Sequence, residues 1–355
     1  MMDFVFTANP ARVIFRPGAV QALAEEADNL GCRRLLLLST AGRADDARAA
    51  AHSLGNRMAA VFTGARMHTP IDVTLEAIEI AKTAQVDGIV SYGGGSTIGL
   101  GKAIAFRTDL PQIVLPTTYA GSEMTPILGE TEHGVKTTKA SPKILPEVVI
   151  YDVDLTMSLP AATSGTSGIN AIAHAVEALY SRQRNPIVSG WALEGIAALH
   201  QALPKIVNDQ MNREARSQAL FGAWLCGLCL GHVGMSLHHK LCHTLGGSFN
   251  LPHAETHTVI LPHALAYNAP AIPEVIAQLQ AVMSDDPVTA LRDLAQTVGA
   301  PSSLKALGMS QDQIDDAVRL AVSNPYWNPR PIEASPLRKL LENAWHGVRP
   351  VLGEY

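Results

Sequence analysis

The first 160 residues of this chain alternate between short, strongly β-prone apolar runs and amphipathic helical stretches, and that alternation stops near residue 160. RRLLLLST (33–40), RMAAVFTG (57–64), DGIVSYGGGS (87–96), QIVLPTT (112–118) and EVVIYD (147–152) read as strands, while VTLEAIEIAKTAQ (73–85) has helical spacing. Parallel neighbours in a sheet need a long crossover, usually a helix, so strands that alternate with helices imply a mostly parallel sheet. Ligands on such a sheet bind beyond the carboxyl ends of the strands. From about residue 166 onward, Ala/Leu/His-rich periodic stretches dominate and β-branched runs nearly vanish. The fold class expected is an α/β N-terminal domain over 1–160, with a mostly parallel sheet, followed by an all-α C-terminal domain over 161–355.

A chain of 355 residues with 47% hydrophobic content has material for two cores, which is more than a single core of usual size accommodates. The formal charge of −5 is spread along the chain. It leaves neither the basic footprint that nucleic acid requires nor a polybasic membrane segment, so no nucleic-acid and no membrane partner is expected. The leading MMDFVFTANPARVIF lacks the cationic and apolar regions of a secretory signal. LFGAWLCGLCLGHVGM (220–235) is apolar, but short for a membrane span and interrupted by four glycines and a histidine. Four scattered cysteines are no disulfide framework, and the CxxC of Cys226 and Cys229 lies inside an apolar helical run, where it reads as core. The cytoplasm is the compartment expected.

Two loops carry the binding signal of the first half. SYGGGSTIGLGK (91–102) runs from a strand through three glycines into a helix, the arrangement that brings backbone N–H groups against a phosphate. It fits neither common fingerprint. Counting from Gly93, Ile98 falls where G-x-G-x-x-G needs its third glycine; the P-loop fails at Ser96 and Ala103. Taken alone, it also reads as a tight turn. PTTYAGSEMT (116–125) follows the next strand and gathers hydroxyls; alone, it also reads as a helix cap. Together the loops suit a dinucleotide, with Gly94, Gly95, Ser96 and Thr97 on one side and Thr117, Thr118 and Ser122 on the other. The first strand ends in Ser39 and Thr40, with no carboxylate at its tip and Arg43 close behind. A carboxylate there would hold a ribose and repel a 2′-phosphate, so NADPH is expected to serve as well as NADH.

The second half supplies histidines. Seven of the thirteen lie between residues 232 and 263. His239 and His243 stand at i, i+4 and share a helical face, as do Asn170 and His174 in GINAIAHAVEALYS (168–181). His253 follows beyond LGGSFNLP. Four such side chains suit a metal site with one defect, since Asn170 offers a neutral amide oxygen where a carboxylate is usual. A lone histidine usually packs, and His232, His238 and His263 are read as structural.

GGGST, PTTYAGSEMT, IYDVDLTMSLP (150–160), the Asn170/His174 helix and HHKLCHTLGGSFNLPHAETH (238–257) occur in order over nearly the whole chain. Together they resemble the iron-containing alcohol dehydrogenase superfamily. The resemblance implies a nicotinamide cofactor on the N-terminal domain, with Lys136 and Leu155 joining its contacts, and a substrate and catalytic role for the helical domain. Typical members bind their ion through one Asp and three His. The matching positions here are Asn170, His174, His239 and His253, so the missing Asp gives the expectation of no metal. Gly99 in place of a common acidic residue, a PTTYAGSEM loop one residue short, and NPYWNPRPI (324–332) are similar to the maleylacetate reductase branch. That branch reduces the enone double bond of maleylacetate to 3-oxoadipate in aromatic-compound breakdown.

Hydride delivered to the carbon β to the ketone leaves an enolate that needs an acid and hydrogen-bond donors. His243 is the candidate proton donor or enolate stabiliser, with His253 beside it. Asn170, His174, His239, His257 and Arg330 are candidates to meet a small dicarboxylate substrate. The alternatives are a metal-dependent alcohol or polyol dehydrogenase of the same fold, and a metallohydrolase using the histidine cluster, which leaves both glycine/threonine loops unexplained. The runs 4–6 and 12–15 are largely apolar and β-prone; in the superfamily resembled such a segment often pairs across a dimer, so the resemblance implies a homodimer.

Overall fold

The computed structural model describes residues 4–9, 11–132 and 135–355, with the backbone alone at 135 and 136. Its contacts divide the chain into two compact units, Ala8–Leu159 and Pro160–Tyr355, the latter joined by the leading segment through Thr7.

The first unit is built on a six-stranded sheet of β1 (Arg12–Phe15), β2 (Leu35–Leu38), β3 (Met58–Phe62), β4 (Gly88–Gly93), β5 (Gln112–Pro116) and β8 (Val148–Tyr151), in the order β1-β8-β5-β4-β2-β3. Every pairing is parallel. The four consecutive leucines of β2 follow from coverage on both faces, which removes the need for polar alternation. Leu35 and Leu37 pack on one side with Leu23, Ala27 and Ala47 from α1 (Leu23–Asn29) and α2 (Ala44–Ala50). Leu36 and Leu38 face the other side, against Val73, Ala77, Leu100 and Ile104 from α3 (Ile71–Thr83) and α4 (Gly95–Thr108). The parallel sheet and the strands read from 33–40, 57–64, 87–96, 112–118 and 147–152 are therefore borne out. A second, two-stranded antiparallel sheet of β6 (Ile127–Glu132) and β7 (Val135–Ala140) is an addition to that reading. Its residues, ILGETE and VKTTKA, contain no aliphatic run.

From β2 the chain steps outward to β3, then returns to build β4, β5 and β8 on the opposite side of β2. The order reverses between β2 and β4, and the crevice beyond their carboxyl ends is where an open α/β sheet takes its ligand. Those ends are Ser39 and Gly93.

The second unit is helical, as its composition implies. Among the described residues it holds α5 (Ala161–Tyr180), α6 (Pro186–Asn208), α7 (Arg213–His232), α8 (Leu237–Phe249), α9 (His253–Asn268), α10 (Pro273–Val282), α11 (Pro287–Thr297), α12 (Gln313–Ser323) and α13 (Ala334–His346). Every residue of α5 from Ser164 to Tyr180 is buried, because the helix packs against α6, α7 and α9. The polar groups it carries are therefore enclosed. Cys226 and Cys229 are reduced and buried on α7, and burial pushes the Cys229 thiol up to about 12. Among the described residues no single helix is long and apolar enough to cross a membrane.

Candidate active site

Four loops of the first unit follow strand ends and bring most of the cofactor candidates there. Gly93 ends β4, Gly94 precedes the first residue of α4, and no side chain caps that helix. A Cβ on Gly94 would lie 2.7 Å from Cγ2 of Thr118, so only glycine lets the two loops approach this closely. Thr117 N–H donates to the Gly93 carbonyl at 3.1 Å and ties them together. Nothing lies within 4 Å of a Cβ placed on Gly95, which leaves the helix N-terminus open to an anion. Ser96 and Thr118 are half-buried. Ser39 is fully buried at the end of β2 and its Oγ has no partner; Thr40 bridges to Gly64.

Thr97 is fully buried, where a Cβ on Gly93 would meet its Oγ1 at 2.6 Å, so its side chain packs beneath the glycines. Leu155 is half-buried and packs against the core beside β8. Lys136 pairs through its backbone with Thr131 in the β6–β7 hairpin, and its side chain lies outside the described residues. A Cβ at Gly99 would fall 2.4 Å from Thr69 Oγ1, so α4 abuts that loop too closely for an acidic side chain at this position.

The sequence reading missed what holds the second loop. Lys102, on α4, is fully buried and donates to the Ser122 carbonyl, to Thr125 Oγ1 at 2.8 Å and to the Ile127 carbonyl at 3.0 Å. Burial lowers its pKa to about 7, opposed by the charge of Glu123. Glu123 in turn accepts from the Tyr151 hydroxyl at 2.7 Å, and burial holds its carboxyl above the usual range. The available signal was a lone lysine two turns inside an apolar helix.

In the helical unit, α5, α8 and α9 bring together Asn170, His174, His239 and His257. The His174 and His239 rings are 5.1 Å apart, His239 and His257 5.0 Å, and His174 and His257 6.3 Å. Asn170 Oδ1, His174 Nδ1, His239 Nε2 and His257 Nε2 are buried with no hydrogen-bond partner. Burial, reinforced by neighbouring histidines, holds His174, His238 and His257 well below the ordinary imidazole range, which keeps their lone pairs available. His253 opens α9, half-buried, with its ring 4.4 Å from that of His257. His257 is fully enclosed, and its Nδ1 lies 2.9 Å from His238 Nε2. His243 is half-buried and its Nδ1 lies 3.0 Å from the Tyr326 hydroxyl. Arg330 lies over the Tyr267 ring at 4.3 Å and donates to the Tyr267 carbonyl at 2.8 Å, which commits part of its fork to the fold.

Glu177 is the cluster's other overlooked member. Fully buried on α5, it accepts from the backbone N–H groups of Ser236 and His238 at 2.7 Å each, at the start of α8. Its Oε2 also accepts from His239 Nδ1 at 2.7 Å. A carboxylate oxygen only accepts, so Nδ1 carries the proton and Nε2 presents a lone pair. One side chain thus caps α8 and fixes the tautomer of the histidine that α8 carries. Its spacing of i+3 from His174 and i+7 from Asn170 was the signal in the sequence.

Residues 10–153 match the family described as iron-containing alcohol dehydrogenase, and residues 164–345 match the C-terminal part of the Fe-containing alcohol dehydrogenase family. The chain belongs to the iron-containing alcohol dehydrogenase family. Over 350 residues it is 56% identical to a maleylacetate reductase of Rhizobium sp. (strain MTP-10005), covering 99% of this chain and 100% of the relative. Maleylacetate reductase 1 of Rhodococcus opacus is 49% identical and covers 98% of both chains. Among solved structures, maleylacetate reductase from Agrobacterium tumefaciens superposes with a TM-score of 0.95 at 56% identity, over 99% of this chain and 100% of that one.

The expectation of no metal is corrected by these findings. Both halves match a family described as iron-containing, and the helical unit contains donors that fit a cation. Asn170 Oδ1, His174 Nδ1 and His239 Nε2 are enclosed lone pairs left without protons to accept. His238, Cys242 and His257, all buried, also place one potential ligand atom each within 4.8 Å of one another. The expectation weighed Asn170 alone and missed the carboxylate behind His239. A carboxylate that orients a ligating histidine raises that ligand's basicity and supplies negative charge from the second layer.

Proposed function

We propose that this chain reduces the carbon–carbon double bond of maleylacetate to 3-oxoadipate with NADH or NADPH. The observation that carries the reading is its full-length identity of 49–56% to maleylacetate reductases. The site agrees with it. The crevice at the carboxyl ends of β2, β4 and β5 suits the pyrophosphate and riboses of a dinucleotide, with Gly95 and Ser96 at the helix N-terminus and Thr117, Thr118 and Ser122 opposite. A divalent cation held by Asn170, His174, His239 and His253 would supply Lewis acidity toward a substrate oxygen. In the reaction, hydride adds to the carbon β to the ketone, the double-bond electrons pass into an enolate, and the α-carbon takes a proton. His243 holds that proton. The compartment proposed is the cytoplasm, and the assembly a homodimer. Two features support the dimer: β1 lies at an edge of the six-stranded sheet, and Val5 is exposed.

The test is incubation of the purified chain with maleylacetate and NADH, followed by mass spectrometry. Formation of one 3-oxoadipate per NADH consumed supports the reading. NADH oxidation only with aldehydes or ketones, leaving maleylacetate intact, would sink it.

A further inference from the structure

We infer that Tyr326 is a positioning and proton-relay residue that acts through His243, and that the segment NPYWNPRPI (324–332) exists to hold it there. The inference rests on the proposed enone reduction, which needs a proton at the carbon next to the ketone.

The geometry begins with two anchors downstream of Tyr326. Asn328 exchanges two hydrogen bonds with the fully buried Asn268 of α9, at 3.0 and 2.7 Å, and donates to the Arg330 carbonyl at 2.7 Å. Its Oδ1 also accepts from the backbone N–H of Leu237 at 3.4 Å, the first residue of α8. Arg330, stacked on Tyr267, is the second anchor. The segment is therefore fastened both to α9 and to the start of the helix that carries His239 and His243. Two residues upstream of Asn328, the Tyr326 hydroxyl reaches His243 Nδ1 at 3.0 Å, across 83 positions of sequence. Lys240, one turn before His243, lies 5.6 Å from the centre of the Tyr326 ring and steadies it from the side. Burial and the charge of Glu177 keep the phenol protonated, so the hydroxyl is the donor.

A hydroxyl that donates into Nδ1 leaves the neutral imidazole with its proton on Nε2. The Nε2 proton then goes to the α-carbon of the enolate as the Tyr326 proton moves to Nδ1; a solvent proton next enters at Nε2, and the Nδ1 proton returns to the Tyr326 phenolate. One hydride and one proton enter the substrate, NADH leaves as NAD⁺, and the starting tautomer is restored without a ring flip.

The experiment compares Tyr326→Phe, His243→Ala and the double variant under steady-state conditions, with melting temperature and NADH fluorescence titration recorded for each. Tyr326→Phe is expected to lower kcat about tenfold to a hundredfold, the scale of one hydrogen bond to the charge that develops on the imidazole in the transition state, with the KM for maleylacetate and the NADH Kd within about twofold. His243→Ala is expected to lose about 10²–10⁴-fold in kcat. In that background the tyrosine change should cost nothing further. Asn328→Ala, which keeps the hydroxyl and frees its anchor, should show a smaller kcat loss that also vanishes without His243. Losses that multiply, or a Tyr326→Phe enzyme with more than half the wild-type kcat, overturn the relay alone. A wild-type enzyme that leaves maleylacetate unreduced removes the functional reading and the relay with it.

Discussion

Replacing Glu177 with glutamine keeps the side chain's shape but removes its charge and one of its two acceptor oxygens. In the structure those oxygens take three hydrogen bonds of 2.7 Å, from Ser236 N–H, His238 N–H and His239 Nδ1. Whichever way the amide turns, its NH₂ group faces at least one backbone N–H that already donates. The conflict cannot be relieved by water, since the residue is fully buried. Losing one charge-assisted bond costs about 1.5–3 kcal/mol, and the survivors weaken as the charge disappears, so a loss of about 2–4 kcal/mol is expected. For a helical unit spanning Pro160–Tyr355, that corresponds to a melting temperature lower by about 5–15 °C. Calorimetry on chelator-treated wild type and variant isolates this term from any stabilisation by bound metal. A shift of less than about 1 °C would refute the reasoning, because it would mean that the start of α8 does not depend on this carboxylate.

Four further outcomes follow from the same structure. Lys102→Met removes the three donors that tie the Ser122 loop to α4, and should weaken NADH binding by about tenfold in a fluorescence titration while changing kcat less; an unchanged Kd contradicts the strut. Arg43 follows the end of β2, where Ser158 and Asp46 steady its guanidinium, and it is the cation placed there to meet a 2′-phosphate, so Arg43→Ala should lower kcat/KM for NADPH more than for NADH; equal losses would remove that role. Chelator-treated protein titrated anaerobically with Fe²⁺ or Co²⁺ should take up one ion per chain, and no uptake would contradict the donor set read here. His263, enclosed beside Tyr355, has its pKa lowered by burial from 6.5 to about 3. The unfolded chain therefore binds a proton there that the folded chain refuses, and stability should fall as pH drops from about 6.5 toward 3. His263→Asn should flatten that acid limb, and an unchanged slope would count against the assignment.

The parts legible in the sequence were those with a strong period or a rigid chemical requirement. The leucines of β2 and the apolar runs of β4, β5 and β8 announced a sheet covered on both faces, and the loss of such runs after residue 166 announced helices. The β6–β7 hairpin was not legible because ILGETE and VKTTKA contain neither an aliphatic run nor a turn dipeptide. Histidine spacing pointed to a cluster but not to its wiring. Glu177 looked like an ordinary helix carboxylate, because nothing in its neighbours says that α8 will begin against it. Lys102 stands where a P-loop has its lysine, and the failure of that pattern at Ser96 and Ala103 hid its role as a buried strut. Tyr326 lies 83 positions from His243, a pairing only the folded chain creates. The metal was judged from Asn170 in isolation, and the compensating charge lay behind a different ligand.

The most direct test of the central claim follows the hydride itself. Maleylacetate would be reduced with NADH carrying deuterium at the transferred position, and the label located in the product by NMR. Enone reduction places one deuterium on the carbon β to the ketone and leaves the carbonyl intact. Deuterium on a carbinol carbon, with the double bond retained, would show a carbonyl reductase and contradict the account.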